Sequence, residues 1–351
     1  MEMEYLLFVP DFFKFLTCED CVSNELSIPQ KICDMQRPIL DENCILSVRN
    51  GYKINVFYDR ENRKLLGVGD LFGDFGLVGG EVLLFECDGN GKFKVYILGE
   101  DGNEIQYPSN QHASQSSSSM SVEGFDGGWK FAKFLSFADP IVDEIVPPVS
   151  FIEKFGSTIP EGVKYVLKNN DMFGGRYEFV EPKLSGLSTV SDGLKLKNFD
   201  RLECMVFTYD GGNVFKLSLF DGRSVEIDLN VNHIKCGSLF VTFRYPCHFS
   251  ILVMPYHMLN YCHGVVVPVA FKSLTNMWKK KDKIHVYKGG SSWEFDIKKD
   301  RRGKRTTIHG GWIQFRNFCQ LNLGDRCFFR WIDESYRHFR VEVVKGDVAN
   351  A

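Results

Sequence analysis

One ordered set of landmarks occurs three times in the 351 residues of this chain, and an internal repeat limits the architecture more tightly than any single motif. Each copy opens on a Phe-rich run, passes through an extended segment ending in Pro and a short helix or turn, and ends in a strand pair after a Gly-then-Phe landmark. The first copy reads Phe13-Lys14-Phe15-Leu16-Thr17, Leu26-Ser27-Ile28-Pro29, Tyr52-Lys53-Ile54-Asn55-Val56, Gly69 with Phe72 and Phe75, Gly80–Phe85 and Phe93-Lys94-Val95-Tyr96-Ile97. The second reads Phe131-Ala132-Lys133-Phe134-Leu135, Val146-Pro147, Phe151-Ile152, Tyr177-Glu178-Phe179, Gly193, Leu202–Phe207 and Phe215–Leu219. The third reads His248–Met254, Val265-Val266-Val267-Pro268, Phe271, Trp293–Ile297, Gly311-Trp312-Ile313-Gln314-Phe315, Leu323–Phe329 and Phe339–Val343.

The texture between landmarks is β. Val, Ile, Tyr and Phe, the last numbering 31, sit in short alternating runs closed by Gly, Asn and Asp. Runs 81–86 and 92–98 flank Asp88-Gly89-Asn90-Gly91 and predict a hairpin. Helical spacing is confined to 151–155 and 271–277, a turn or two each. The repeat therefore predicts three β-rich domains, at 5–98, 128–222 and 240–345. Residues 99–127, with Gln111, Gln115 and the run Ser116–Ser119, read as a flexible Ser/Gln-rich linker. Residues 223–239 read as a junction, either a second linker or an extra strand.

Charge is distributed unevenly. The net of −3 hides a first segment, 1–127, with 10 Lys/Arg against 21 Asp/Glu, and a last segment, 272–351, with 18 against 9. A basic end on an acidic chain points to a polyanionic partner for that end. Eleven cysteines without repeated spacing fit a reducing compartment better than a disulfide framework. Neither a signal peptide nor a membrane span is read in the sequence.

The landmarks resemble those of the plant B3 DNA-binding domain. The third copy carries Val-Pro-x-x-Phe, Trp-x-Phe, Gly-Trp-x-x-Phe and Leu-x-x-Gly-Asp-x-Cys-x-Phe in that family's order. The first copy matches through Phe-x-Lys-x-Leu-Thr-x-x-Asp and Leu-x-Ile-Pro, but has Val68-Gly69-Asp70 at the Gly-Trp site. The second departs furthest, with Ser191-Asp192-Gly193 there and Phe199-Asp200-Arg201 at the Gly-Asp turn. A triple array of divergent copies is similar to the reproductive-meristem subfamily. The resemblance implies an all-β fold with minor helix: three tandem seven-stranded open barrels of the DNA-binding pseudobarrel type, each with one or two short helices. It also implies two arms per barrel that clamp the DNA major groove, a nuclear location, and a role in transcription regulation. No cofactor and no metal are implied.

The candidate DNA-binding residues follow from charge and arm position. Lys298, Lys299, Arg301, Arg302, Lys304 and Arg305 put six positive charges on one strand-to-strand loop, suited to phosphate neutralisation, with arginine able to fork onto guanine edges. The bland readings of the run are a solvated hairpin or a nuclear-import signal. Lys280 and Lys281 form a second cluster, of phosphate-contact type or a solvated turn. Tyr256, His257 and Asn260 lie on the first arm of the third copy. Arg60, Arg63 and Lys64 lie on the second arm of the first copy, with acids interspersed, and the second copy's arm, 180–186, is poorly equipped.

Zinc is disfavoured. Cys18-x-x-Cys21 has no second pair at finger spacing, and His257, Cys262 and His263 have no paired partner. The chain has no phosphate loop, Gly-x-Ser-x-Gly or His-Glu-x-x-His, so no enzyme is expected, and no small-molecule substrate. Duplex DNA is the expected partner. The alternative is a scaffold of transcription complexes, in which the first two barrels bind other proteins or self-associate instead of DNA.

Overall fold

The computed structural model describes residues 10–34, 40–89, 91–108, 128–135, 143–194, 202–229, 248–262, 264–279, 281–288, 291–300, 305–332 and 337–346. These form three seven-stranded, nearly closed barrels of one topology, in two compact units, 1–233 and 234–351. No described helix is long and apolar enough to cross a membrane.

The first barrel contains β1 (Phe12–Phe15), β2 (Glu25–Ser27), β3 (Asn43–Val48), β4 (Lys53–Asp59), β5 (Lys64–Leu66), β6 (Val82–Gly89) and β7 (Lys92–Leu98), with short helices α1 (Cys18–Ser23), α2 (Gln30–Cys33) and α3 (Gly69–Asp74). Its sheet order is β1-β6-β7-β3-β4-β5-β2, with β3 and β7 parallel and the other pairs antiparallel. The second barrel repeats this order through β8 (Trp129–Phe134), β9 (Glu144–Ile145), β10 (Gly162–Leu167), β11 (Met172–Glu178), β12 (Lys183–Ser185), β13 (Leu202–Tyr209) and β14 (Val214–Asp221), with α4 (Val149–Phe155) and α5 (Leu187–Gly193). In the second unit the strands are β15 (His248–Leu252), β16 (Gly264–Val266), β17 (Lys283–Lys288), β18 (Ser291–Lys299), β19 (Thr306–His309), β20 (Arg326–Trp331) and β21 (His338–Val344), with α6 (Lys272–Met277) and α7 (Trp312–Phe318).

The aromatic landmarks explain why one topology forms three times. Alternation on the first and sixth strands places one Phe of each against the other inside the barrel. Phe12–Phe85, Phe131–Phe207 and Phe249–Phe329 stack at 4.6, 4.8 and 4.8 Å, nearly parallel. Phe93, Phe215 or Phe339 of the seventh strand meets the first-strand ring edge-on. Each trio is buried in its own core, and such pairs add to the burial of their area. The two helices read from sequence appear as α4 and α6, and β6 pairs antiparallel with β7 as the expected hairpin.

One landmark moves. Gly193 closes α5, and the glycine that starts this helix is Gly186, at φ +91°. A Cβ there would lie 2.8 Å from the carbonyl oxygen of Gly174, so only glycine fits the approach. Gly67 and Gly310 hold the same positive-φ position before α3 and α7.

The linker and junction are also corrected at their ends. Residues 99–108 turn back on β7, Leu98 bridges Glu104, and Ile105 and Tyr107 pack on the first core. Residues 222–229 do the same after β14: Phe220 bridges Glu226, and Ile227 and Leu229 pack on the second core. The remainder, 109–127 and 230–247, lies outside the described residues.

These two tails are exchanged between barrels. Gly102–Glu104 lies along the free edge of β8, where Glu104 N donates to Lys130 O (2.9 Å) and Ala132 N to Gly102 O (2.8 Å). Ser224–Glu226 lies along the free edge of β1, where Phe13 N donates to Ser224 O (2.9 Å) and Glu226 N to Asp11 O (2.8 Å). Phe13, Phe15, Phe134 and Phe220 form an aromatic cluster between the two barrels. Val225 is buried in the core of the first barrel.

Each tail buries a glutamate, 2% exposed in both cases. Glu104 accepts from Arg49 (2.6 Å), from Lys130 N (3.0 Å) and from the Tyr107 hydroxyl (2.8 Å). Polar sequence hid this burial, because a carboxylate enters an interior only when its partners arrive with it. Glu104→Ala is expected to cost the first unit ~3–5 kcal/mol by stranding Arg49. The second unit should unfold as before, a comparison that denaturation followed by hydrogen exchange in each unit will make.

Candidate nucleic-acid interface

In the third barrel, Phe295 and Ile297 of β18 point into the core, so Asp296 and Lys298 point outward. β19 pairs on one side with β18 and on the other with β16, with Lys298 opposite Thr307 and Gly264 opposite His309. The backbone of Asp300 donates to Arg305 O (3.0 Å) and closes the base of the loop between these strands. A cleft of about 320 Å³ opens there, lined by Gly264, Lys298, Lys299, Asp300, Arg305, Thr307 and His309. Three cations and a histidine against one acid suit a phosphate-bearing ligand.

The same place in the other barrels carries different residues. Leu65, Leu184 and Ile308 occupy equivalent core positions on β5, β12 and β19, each opposite a core residue of both neighbouring strands. One step away on each, Lys64 and Lys183 stand where the third barrel has Thr307. Their cross-strand partners Asp59 and Glu178 stand where it has Lys298, and Glu25 and Glu144 where it has Gly264. Lys64 pairs with Glu25, and Lys183 pairs with Glu144 (3.1 Å) and Glu178 (3.4 Å). The Glu144 hydrogen bond holds the Lys183 ammonium above its ordinary range. Such surface pairs add little stability, but they place an acid on either side of the one lysine at this site.

The first arm of the third barrel is built by its core. Pro255–Met258 forms a 3₁₀ turn, and His257 is 2% exposed. His257 Nδ1 accepts from Met254 N (3.0 Å), while its carbonyl accepts from Trp312 Nε1 (3.1 Å) and from Arg316 (3.2 Å), which also reaches Leu259 O (3.3 Å). His257 is therefore a support of the arm and does not face a ligand, which corrects the sequence reading. Its ring fits a niche beside Tyr256 and Trp312 that hydrophilicity did not reveal. Tyr256, 50% exposed, and Asn260, also exposed, remain on the arm surface. Arg316 was missed, because a helix arginine carries no sign in sequence of which carbonyls it will hold.

The other candidates divide. Lys298 and Arg305 line the cleft and are exposed. Lys299 lines it too, but its ammonium donates to Thr275 O (2.8 Å) and anchors the loop to α6. Lys281 is exposed on the turn before β17 and does not line the cleft. Arg60 is exposed, Arg63 is half-buried at φ 56°, and Lys64 is held by Glu25. Lys280, Arg301, Arg302, Lys304 and His263 lie outside the described residues.

No family model and no curated protein matches the chain. Among solved structures, that of a hypothetical Arabidopsis thaliana protein is similar at 17% identity and a TM-score of 0.24, covering 28% of this chain and 91% of that one. Three nearly closed seven-stranded barrels of one topology fit a B3-like pseudobarrel fold.

Burial holds the His257 pKa below its ordinary 6.5, outweighing a hydrogen bond to Leu252 that raises it. A depressed histidine stabilises the fold above 6.5 and loses that contribution as the pH falls below it. The second unit should therefore lose stability between about pH 7 and 5, and His257→Gln should flatten that slope in parallel denaturation series. His257→Ala should cost ~1–3 kcal/mol by leaving the Met254 amide without its acceptor.

Proposed function

We propose that the chain is a DNA-binding transcription regulator of the nuclear B3 kind, and that its third barrel carries the affinity for duplex DNA. The observation behind this reading is the exchange at three equivalent positions: Gly264, Thr307 and Lys298 leave a cationic cleft where Glu25, Lys64 and Asp59, or Glu144, Lys183 and Glu178, put two acids around one lysine. Opposite-sign charge attracts a phosphate backbone, and like-sign charge repels it. Tyr256 and Asn260 on the neighbouring arm have hydroxyl and amide groups suited to phosphate or base-edge hydrogen bonds. On this reading the first two barrels are not DNA readers. Their mutual pairing and the acids beside Lys64 and Lys183 favour a protein-interaction role within the same assembly.

Lys298→Ala and Arg305→Ala in the full chain test it. Each is expected to weaken binding to duplex DNA, and loss of a phosphate contact should reduce the slope of log affinity against log salt by roughly 0.9. If Arg305 reaches a base edge, its loss should cost ~1–3 kcal/mol on the preferred sequence and less on random DNA. Unchanged affinity in both variants, with Lys64→Ala weakening binding instead, would move the interface to the first barrel.

A further inference from the structure

The two halves of the interface between the first and second barrels correspond in their backbone pairing, but their charges do not match. In one half, Glu104 meets Arg49, and the Lys130 ammonium reaches Glu86 (2.9 Å) and the Thr208 hydroxyl (3.0 Å). Each carboxylate in that half has its own cation.

In the other half, Asp11 and Glu226 occupy the places of Lys130 and Glu104, and Lys168 that of Arg49. Lys168 Nζ lies 3.1 Å from Asp11 Oδ2 and 2.6 Å from Glu226 Oε2. Among the described residues it is the one cation within ion-pair distance of either carboxylate. Glu226 also accepts from the Asp11 amide (3.2 Å), so the two acids are locked together by backbone pairing and cannot separate while the tail stays on β1. Glu86 of β6 is the next charge, already engaged by Lys130, and the Lys31–Asp221 pair (2.8 Å) stands at the root of the same tail.

We propose that pairing of the first two barrels binds a proton: the buried Asp11 and Glu226 share the ammonium of the half-exposed Lys168, so the closed pair holds Asp11 in its acid form and loosens as the pH rises. Two buried carboxylates on one cation leave one negative charge uncompensated, and a proton is the smallest species that removes it. The result is a pH-sensitive latch on the exchanged tail Ser224–Glu226.

Burial, then Glu226 and Glu86, with Lys168 opposing, hold the Asp11 carboxyl up at about 7 against an ordinary 3.8. An acid raised in the folded state stabilises it fully below the ordinary value and ceases to as the pH rises through the raised one. The operative window therefore runs from about pH 4 to just above 7.

Hydrogen exchange on the full chain reads the latch directly, through peptides covering 10–16 and 222–229, corrected for intrinsic exchange, from pH 5.5 to 8.5. The opening constant of these peptides is expected to rise by up to about tenfold per pH unit and to level off above the titration. Asp11→Asn should abolish the rise. Lys168→Met should keep it but displace its midpoint to higher pH, since Lys168 acts to lower the Asp11 pKa. A wild-type opening constant independent of pH, an equal slope in Asp11→Asn, or an unmoved midpoint in Lys168→Met would each overturn the proposal. Should Asp11→Asn fail to fold, the midpoint in Lys168→Met decides.

Discussion

A seven-stranded sheet that almost closes still leaves its first strand with one row of unpaired backbone groups, and an open edge invites association. The first two barrels meet this constraint by exchange: each lends the few residues after its last strand to the free edge of the other. The rest of the first unit follows from that contact. It sets which strand faces meet, why Phe13, Phe15, Phe134 and Phe220 face each other, and why a glutamate can be buried in each tail. Charge then fixes which barrel pairs with which. Asp11 and Glu86 belong to the first barrel, and Lys130 and Lys168 to the second, so two second barrels would bring lysines together. In the third barrel, Ser250 and Leu252 stand where the paired barrels have Phe13 or Ala132 and Phe15 or Phe134. It lacks the aromatic face that this kind of pairing needs.

On the proposed reading, function rests on a different and smaller set of residues on the same frame. The backbone of the arm strands is alike in all three barrels, and what changes is the charge at three positions, two acids and a lysine in the first two barrels against a single lysine in the third. Outward positions on a half-buried strand contribute little to folding. They are therefore free to vary between copies while the inward Phe trio is retained. A repeat of one fold can thus separate an assembly role from a ligand role without altering its core.

What was legible in the sequence was what repeats with a period. The alternating apolar runs gave the strands, and the Gly/Asn turn between two of them gave the β6–β7 hairpin, because burial of bulk follows strand period. What was hidden depends on partners far along the chain. Glu104 read as linker and Glu226 as junction because their burial rests on Arg49 and Lys168, 55 and 58 residues away. His257 read as a ligand-facing residue because its acceptor role toward Met254 is a matter of one rotamer. Of the basic loop, sequence gave the sign of charge but not the tether of Lys299 to Thr275, nor the acids that neutralise Lys64 and Lys183. The positive-φ glycines Gly67, Gly186 and Gly310 were not read from sequence, because at Gly186 the need for glycine lies in a close backbone approach, which composition does not reveal.

The central claim is that a polyanion engages the third barrel through one cleft and leaves the equivalent places in the other two untouched. Footprinting of the full chain by hydrogen exchange, with and without duplex DNA at moderate salt, tests it most directly. The account predicts added protection over 256–262 and 296–309, with 57–66 and 176–185 unchanged. Protection confined to 57–66 or 176–185, or none anywhere under conditions where the duplex is bound, would contradict it.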